Sequence, residues 1–449
     1  MSESLPPSST PPSEVLAHEM RDRAREMFEH ALSECSIPQA FSKQVLYDRG
    51  ELSLGNDAYA LGTFSRTLVV SIGKAGYTMA EALANTVGTR FTGIIACPNA
   101  PPAQLFGFRY FLGGHPLPNE ESLRAGDAIL RLLSAPSAQT LVIYLISGGA
   151  SAIAEKPISA GISLADVVQT YKALVLSGVP IAEINAIRKH LSALKGGRLA
   201  SIAAPSYQAS VLVSDVPEGA LDALASGPTM PDTTTVADCY AIVKRYKLLK
   251  NFPPSVRTLF EREQLAETPK QNDPVFERSR YTMVLSNATA VNAAVERAVL
   301  GGFAVEVDNS CDDWDYERAA DHLLGRLREL RRGVSRACLI SGGEVTVKVG
   351  AKAGIGGRNQ QFALYCAQKI AGENITVLSA GTDGVDGNSD AAGAVVDGTT
   401  VERAQMRGLD IAAALTQFNA YPLFDAIGDS IMTGPTGNNV RDLRILMAY

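Results

Sequence analysis

Residues 339–359 read LISGGEVTVKVGAKAGIGGRN, and the rest of the chain repeats their logic. The run Ala337-Cys338-Leu339-Ile340 is apolar and reads as the end of a buried strand. Ser341, Gly342, Gly343 and a lone acid, Glu344, follow it. Val345-Thr346-Val347-Lys348-Val349 then alternates with strand period, so a short strand is expected there. A second glycine loop, Gly354-Ile355-Gly356-Gly357, delivers Arg358, and a helical pattern begins at Asn359. Glycines let backbone N–H groups approach an anion, and a helix N-terminus adds positive dipole. An arginine at that place offers a planar fork that matches carboxylate or phosphate. A glycine-rich hairpin with a surface arginine fits the same residues.

Working outward, short apolar runs ending in small-residue loops recur along the chain. Leu68-Val69-Val70 leads into Ser71-Ile72-Gly73-Lys74-Ala75-Gly76. Leu141-Val142-Ile143-Tyr144-Leu145-Ile146 leads into Ser147-Gly148-Gly149-Ala150-Ser151. Val211-Leu212-Val213 leads into Ser214-Asp215-Val216-Pro217, and Thr376-Val377-Leu378 into Ser379-Ala380-Gly381-Thr382-Asp383-Gly384. Helical patterns usually follow. This alternation argues for an α/β protein with parallel sheets covered on both faces. In such sheets ligands bind beyond the carboxyl ends of the strands, where these Ser, Gly, Lys and Asp residues fall. LISGG occurs at 145–149 and again at 339–343, which hints at two similar loops in two domains.

An amphipathic helix is expected from Glu14 to about Cys35, and others over 163–177 and 181–199. On the last, Asn185, Lys189 and Ser192 are spaced to share a face. The least patterned region, about 247–280, marks the domain junction. The expected organisation is a disordered Pro/Ser-rich tail at 1–13, a first domain at 14–270 and a second at 271–449. Asp442-Leu443-Arg444-Ile445-Leu446-Met447 reads as an edge-like strand closing the second domain.

A chain of 449 residues with 46% hydrophobic and 20% charged residues is an ordinary globular composition. The net charge of -6 and the lack of a Lys/Arg run argue against a nucleic-acid partner. No apolar run nears the ~18 residues that span a bilayer, so no membrane partner is expected. Six scattered cysteines without a C-x-x-C read as buried reduced thiols, which favours the cytoplasm. The sequence does not decide the oligomeric state; a homodimer is one option.

Lys74, straight after a strand and before a helix, has the geography of a phosphate site without the Walker A spacing. A surface lysine at a turn fits equally. Asp215 ends a buried-looking strand, and Asp383 and Asp386 lie in G-T-D-G-V-D-G. Carboxylates at strand ends suit a largely hydrated Mg²⁺ or a base for a hydroxyl, while a pair of Asx turns is the plainer alternative for G-T-D-G-V-D-G. His115, held between Gly114 and Pro116, could hydrogen-bond a substrate or simply stiffen a turn. There is no Cys/His metal quartet, no G-x-S-x-G elbow and no G-x-G-x-x-G after a strand. A set of glycine loops with Lys, Arg and several Asp favours phosphoryl transfer.

Taken together the loops resemble the glycerate 2-kinase family with a C-terminal MOFRL domain. The segments that carry this are S-I-G-K-A (71–75), G-G-H-P-L-P-N-E-E-S (113–122) and I-S-G-G-A-S-A (146–152). They continue with I-N-A-I-R-K-H-L-S-A-L-K-G-G (184–197), S-D-V-P (214–217) and A-S-G-P-T-M-P-D (225–232). The second half supplies S-G-G-E (341–344), G-G-R-N-Q-Q (356–361), G-T-D-G-V-D-G (381–387) and T-G-P-T-G-N-N-V (433–440). The resemblance implies a Rossmann-like three-layer α/β domain around a parallel sheet, an α/β domain of MOFRL type, and an active site in a cleft between them. It implies transfer of the γ-phosphoryl of ATP to the 2-hydroxyl of D-glycerate, with Mg²⁺. It maps catalytic roles to Lys74 and Arg358, and acids of the site to Asp215, Asp383 and Asp386. Of these, Lys74, Arg358 and Asp215 are expected to be catalytic, and Asp383 and Asp386 to hold metal. Nucleotide or substrate contacts are expected from Gly73, His115, Ser147, Gly148, Gly149, Ser151, Asn185, Lys189, Ser341, Gly342, Gly343, Glu344, Gly356, Gly357 and Asn359. Ala150 stands where the family pattern has a glycine, a strain if the position needs a left-handed backbone. An NAD(P)H-dependent hydroxypyruvate reductase and a non-catalytic binder of small acids or nucleotides are the rival readings.

Overall fold

The computed structural model describes residues 14–88, 91–217, 219–350 and 353–449. The expected tail at 1–13 lies outside them. The chain forms two compact units, one of residues 37–286 and one of 287–449 together with the N-terminal segment up to Ser36.

The unit of residues 37–286 opens with a small antiparallel meander, β1 (Val45–Asp48), β2 (Glu51–Leu54) and β3 (Asp57–Ala60). Its main sheet holds β4 (Arg66–Ile72), β5 (Thr92–Cys97), β6 (Phe108–Leu112), β7 (Thr140–Ile146), β8 (Tyr207–Val213) and β9 (Ser279–Leu285). The spatial order is β6-β5-β4-β7-β8-β9 and every pairing is parallel. Leu68, Val70, Ile94, Val142 and Tyr144 pack on one face against Ala125, Ile129 and Leu133 of the helix Glu120–Leu133. The alternate residues Val69, Ile95, Ile143 and Leu145 are equally buried, so both faces are covered. That is why these strands read as continuous apolar runs instead of alternating ones. The chain runs outward from β4 to β6, then returns to lay β7 on the other side of β4. This reversal makes the β4/β7 boundary the topological switch point, where a crevice opens beyond the strand ends.

The domain junction expected at 270/271 falls at Ser286/Asn287 instead. The polar stretch before it misled, because β9 still pairs in parallel with β8. The helix expected over 181–199 stops at Leu191; Gly196 and Gly197 both take left-handed backbone before a short helix, Arg198–Ala203, resumes.

The second unit carries β10 (Ala304–Val307), β11 (Ala337–Gly342), β12 (Ile375–Gly381), β13 (Gly393–Asp397), β14 (Ser430–Ile431) and β15 (Asp442–Ala448). Their order is β10-β11-β15-β12-β13-β14, and only β10 and β11 pair in parallel. Two expectations fail here. The sheet is mixed, and the final strand is central, not an edge. Arg444 suggested solvent, yet it is fully buried, and its Nη2 donates to the carbonyls of Gly342 and Gly343 at 3.0 Å each. The strand expected over 345–349 is absent as well. Gly343 turns the chain, and only Thr346 bridges, to Asp315.

The helix Glu14–Glu34 forms as expected, and buries Ala17, Met20, Ala24, Met27, Phe28 and Ala31 at three- and four-residue spacing. It packs on the helix Asn287–Leu300 and on β12, which is why the start of the chain belongs to the unit that ends it. No helix of the described residues is long and apolar enough to cross a membrane.

Candidate active site

Strand order brings two of the sequence motifs into contact. β4 and β7 are neighbours, so the loops that follow them meet. Gly73 sits at φ +131°, and a Cβ there would lie 2.2 Å from Ser147 Oγ, so the site requires glycine. Lys74 N–H donates to the Gly148 carbonyl at 2.9 Å, and Ala75 N–H to Ser147 Oγ at 3.1 Å. The Lys74 side chain is exposed. A Cβ on Gly149 would lie 3.2 Å from Lys74 Cγ and 2.9 Å from His115 Cδ2, which sets all three in one corner. Burial, and then the Lys74 charge, hold the His115 imidazole below its usual pKa. His115 is therefore a neutral hydrogen-bonding group at pH 7.

Asp215, from the loop after β8, closes the other side. A Cβ on Gly148 would meet its Oδ2 at 2.1 Å, so the glycine lets the carboxylate lie against the backbone. Ser151 Oγ is 2.9 Å from Ser226 Oγ. Ser226 was not among the expected site residues. It lies in a run of three left-handed residues, Ala225, Ser226 and Gly227, at φ 54°, 60° and 58°. Non-glycine residues in that region store strain, and such strain gathers at functional sites. Ala150 carries no such strain: it opens the helix Ala150–Ile153, and the left-handed position falls on Gly149 at φ +80°.

Lys74, His115, Ser147, Gly148, Gly149, Ser151 and Asp215 thus gather at the switch point. Lys189 does not join them. It is 2% exposed and donates to Asp222 Oδ2 at 2.8 Å and Asp232 Oδ1 at 3.0 Å. Expected as a ligand contact, it is an internal brace, because its helix face turns to the A-S-G-P-T-M-P-D loop. Asn185 is half-buried one turn earlier on the same helix.

In the second unit a cavity of about 700 Å³ is lined by Glu344, Gly356, Gly357, Arg358, Asp383 and Asn439, among others. Arg358 begins the helix Arg358–Lys369. Its Nε and Nη2 fork onto Asp442 at 2.5 and 2.9 Å, and Nη2 also reaches Glu344 at 2.8 Å. Burial alone would lower its pKa, but the bonds and charges of Asp442 and Glu344 hold it above the usual value. Asp442 escaped the sequence reading because its strand was taken for an edge.

Two expectations change in this unit. Asp386 is 2% exposed, and its carboxylate accepts from the N–H groups of Asn359 at 3.1 Å and Gln360 at 2.8 Å. It caps a helix whose own N-cap, Gly357, has no side chain, and both its oxygens are committed. Its expected metal role is withdrawn. Asn359 is likewise buried, accepting from Ser379 Oγ at 2.6 Å, and orders the helix start instead of meeting a ligand. Part of the expected anion cradle at 341–344 is also closed. Gly342 N–H donates to Asn309 Oδ1 at 2.7 Å and Glu344 N–H to Asp312 Oδ1 at 2.9 Å. Ser341 is buried with its hydroxyl unpartnered, and Gly343 turns at φ +95°.

Among the described residues no three His, Cys, Asp or Glu side chains are grouped to hold a metal ion. Mg²⁺ needs no such cage: it binds through one or two carboxylates and the phosphates of its nucleotide. Asp383, on the cavity wall, fits that role.

Residues 23–261 match a family model described as a domain of unknown function, DUF4147, and residues 337–442 match the MOFRL family. Glycerate 2-kinase of Pyrococcus horikoshii is 33% identical over 85% of this chain and 87% of its own length. The chain belongs to the glycerate 2-kinase family. D-glycerate 2-kinase of Thermotoga maritima, another member, is 34% identical over 85% of this chain and 90% of its own. The crystal structure of a glycerate kinase from Thermotoga maritima superposes with a TM-score of 0.83 at 30% identity, covering 96% of this chain and all of that one. The architecture of this glycerate 2-kinase family member is therefore that of a solved relative along nearly its whole length.

Proposed function

We propose that this protein transfers the γ-phosphoryl group of ATP to the 2-hydroxyl of D-glycerate, giving 2-phospho-D-glycerate and ADP. The observation that carries this reading is the meeting of Lys74, His115 and Asp215 around the glycine loop after β7. It supports phosphoryl transfer because the chemistry needs positioning and charge stabilisation more than covalent assistance. The 2-hydroxyl oxygen forms a bond to the γ-phosphorus while the bond from that phosphorus to the β,γ-bridging oxygen breaks. The hydroxyl proton passes to a carboxylate, for which Asp215 is our choice. Lys74 places its ammonium against the charge gathering on the transferring oxygens. Arg358, its fork held by Asp442 and Glu344, is a fixed cation of the kind that binds phosphate or carboxylate. Mg²⁺, with Asp383 as its protein ligand, would neutralise the polyphosphate. The six buried free cysteines suit a reducing cytoplasm.

The test is to incubate the protein with ATP, Mg²⁺ and D-glycerate and follow phosphorus NMR. A 2-phosphoglycerate signal is expected, and Lys74→Ala is expected to lower kcat by about 100-fold or more in a folded protein. Unchanged turnover in that variant removes Lys74 from the mechanism. No phosphorylation together with NADH oxidation by hydroxypyruvate would replace the kinase with a reductase.

A further inference from the structure

The corner occupied by His115 and Gly149 opens into a cavity of about 570 Å³. His115, Gly149 and Ser151 line it, and so do Tyr171, Val175 and Arg188. Arg188 differs from the other basic groups buried in this unit. Lys189 is closed by Asp222 and Asp232, and Lys195 by Glu155. Arg188 enters no ion pair among the described residues, and its Nε is buried without a hydrogen-bond partner. Glu155 is near enough to act on its charge, but that carboxylate is fully engaged. Lys195 Nζ and Tyr171 Oη bond its Oε2, while Ser192 Oγ and the Lys156 N–H bond its Oε1 at 2.6 and 2.8 Å. Burial accordingly pulls the Arg188 pKa below the usual arginine value, Tyr171 and Glu155 opposing.

A half-buried guanidinium without a counter-ion is unfavourable unless something else meets it. Here the ring of Tyr171 does so in part, with the guanidinium carbon 4.4 Å from its centroid. The ring gives the guanidinium a fixed neighbour on one side. Tyr171 is in turn fixed by Glu155 and Lys195, which gives this buried ion pair a purpose: it holds the ring that meets a planar donor at the wall of a cavity. The remaining N–H groups of the fork call for a planar acceptor pair.

We propose that Arg188 is an oxyanion-binding residue of this pocket, taking a carboxylate or phosphate group of a substrate held beside Gly149 and Ser151. The identity of that substrate rests on the kinase reading, which offers two sources of the same chemistry: the carboxylate of the hydroxy acid and the phosphates of the nucleotide.

Arg188→Met keeps an apolar stem on Tyr171 and removes the charge, while Arg188→Lys keeps the charge and removes the fork. KM for D-glycerate, KM for Mg-ATP and kcat are measured for each, with the thermal shift that each ligand alone gives the folded protein. Arg188→Met is expected to raise one KM by about 10- to 100-fold with a much smaller change in kcat, and to abolish that ligand's thermal shift. Arg188→Lys should fall between it and the wild type. The substrate whose KM moves names the oxyanion. Should Arg188→Met not fold, the same split in Arg188→Lys carries the test. Both KM values and both thermal shifts at wild-type levels would overturn the proposal, as would a loss of kcat alone. If the wild type phosphorylates no glycerate the kinase reading fails, and the thermal shifts with D-glycerate and with ATP still decide the role of Arg188.

Discussion

Arg358 and Asp442 make one unit, and neither can be understood without the other. An arginine on a glycine loop has many rotamers, and the fork onto Asp442 selects one of them. Asp442 is nearly buried, so its charge is compensated only by that fork and its neighbours. Asp442→Asn should therefore act on catalysis without touching a ligand: we expect kcat to fall by up to about 100-fold with the fold retained, because the guanidinium loses its register. Steady-state kinetics beside a circular dichroism spectrum check this, and an unchanged kcat refutes it. Asp386 gives a prediction in pH. Burial pushes its pKa from 3.8 up to about 7, although the amides of Gln360 and Asn359 pull the other way. Between those values the folded protein holds a proton that the unfolded chain has released. Its contribution to stability is full below about pH 4 and is lost as pH rises through about 7. Urea midpoints at about pH 5 and about pH 8 should differ more in the wild type than in Asp386→Asn. Lys74 and Asp215 were legible in the sequence as candidates because each follows an apolar run, and strand ends converge in a parallel sheet; His115 was legible because Gly114 and Pro116 hold it in place. Asp442, Ser226 and Arg188 were not. Their roles depend on a strand position, a left-handed backbone and a missing partner, none of which has a local signature.

Elements were legible where their burial is one-sided or complete. The helix Glu14–Glu34 declared itself by period, and the strands β4, β7 and β11 by unbroken apolar runs. β15 was misread because the sequence cannot say that an arginine inside a strand will point into the protein. What pins the first helix was equally hidden. Arg21 is 7% exposed and pairs with the fully buried Asp397 at the end of β13, with Asp429 3.9 Å from its Nε. Arg403 completes the group by forking onto Asp429 at 2.9 and 2.6 Å. Such a group is costly to break from one side, since the partner charge stays buried. Arg21→Ala is expected to destabilise the second unit by about 3–5 kcal/mol. The urea unfolding midpoint reads it directly; a shift near that of an exposed charge, such as Arg23→Ala, would show that water reaches Asp397.

At the scale of the whole chain, sequence order and structural order part company. Residues 37–286 fold around a sheet of their own, whereas the second unit takes its first helix from the other end of the sequence. The reading by composition could not show this, because the helix Glu14–Glu34 carries no mark of which core it will join. The consequence for stability follows from what that helix buries. Met20, Met27 and Phe28 are each at most 4% exposed. Side chains of this kind contribute about 1.5–3 kcal/mol apiece, so the three together amount to roughly 5–9 kcal/mol. That is comparable with the whole stability of a typical domain, about 5–15 kcal/mol. A fragment of residues 287–449 should therefore lack a cooperative unfolding transition, and one in which residues 14–36 are joined ahead of Asn287 by a flexible linker should regain it. A fragment of residues 37–286 should unfold cooperatively without either addition. Near-UV circular dichroism against urea separates the cases. A native-like spectrum and a sharp transition in 287–449 alone would mean that the sheet β10–β15 holds itself together, and that the helix Glu14–Glu34 is an accessory to a core already complete.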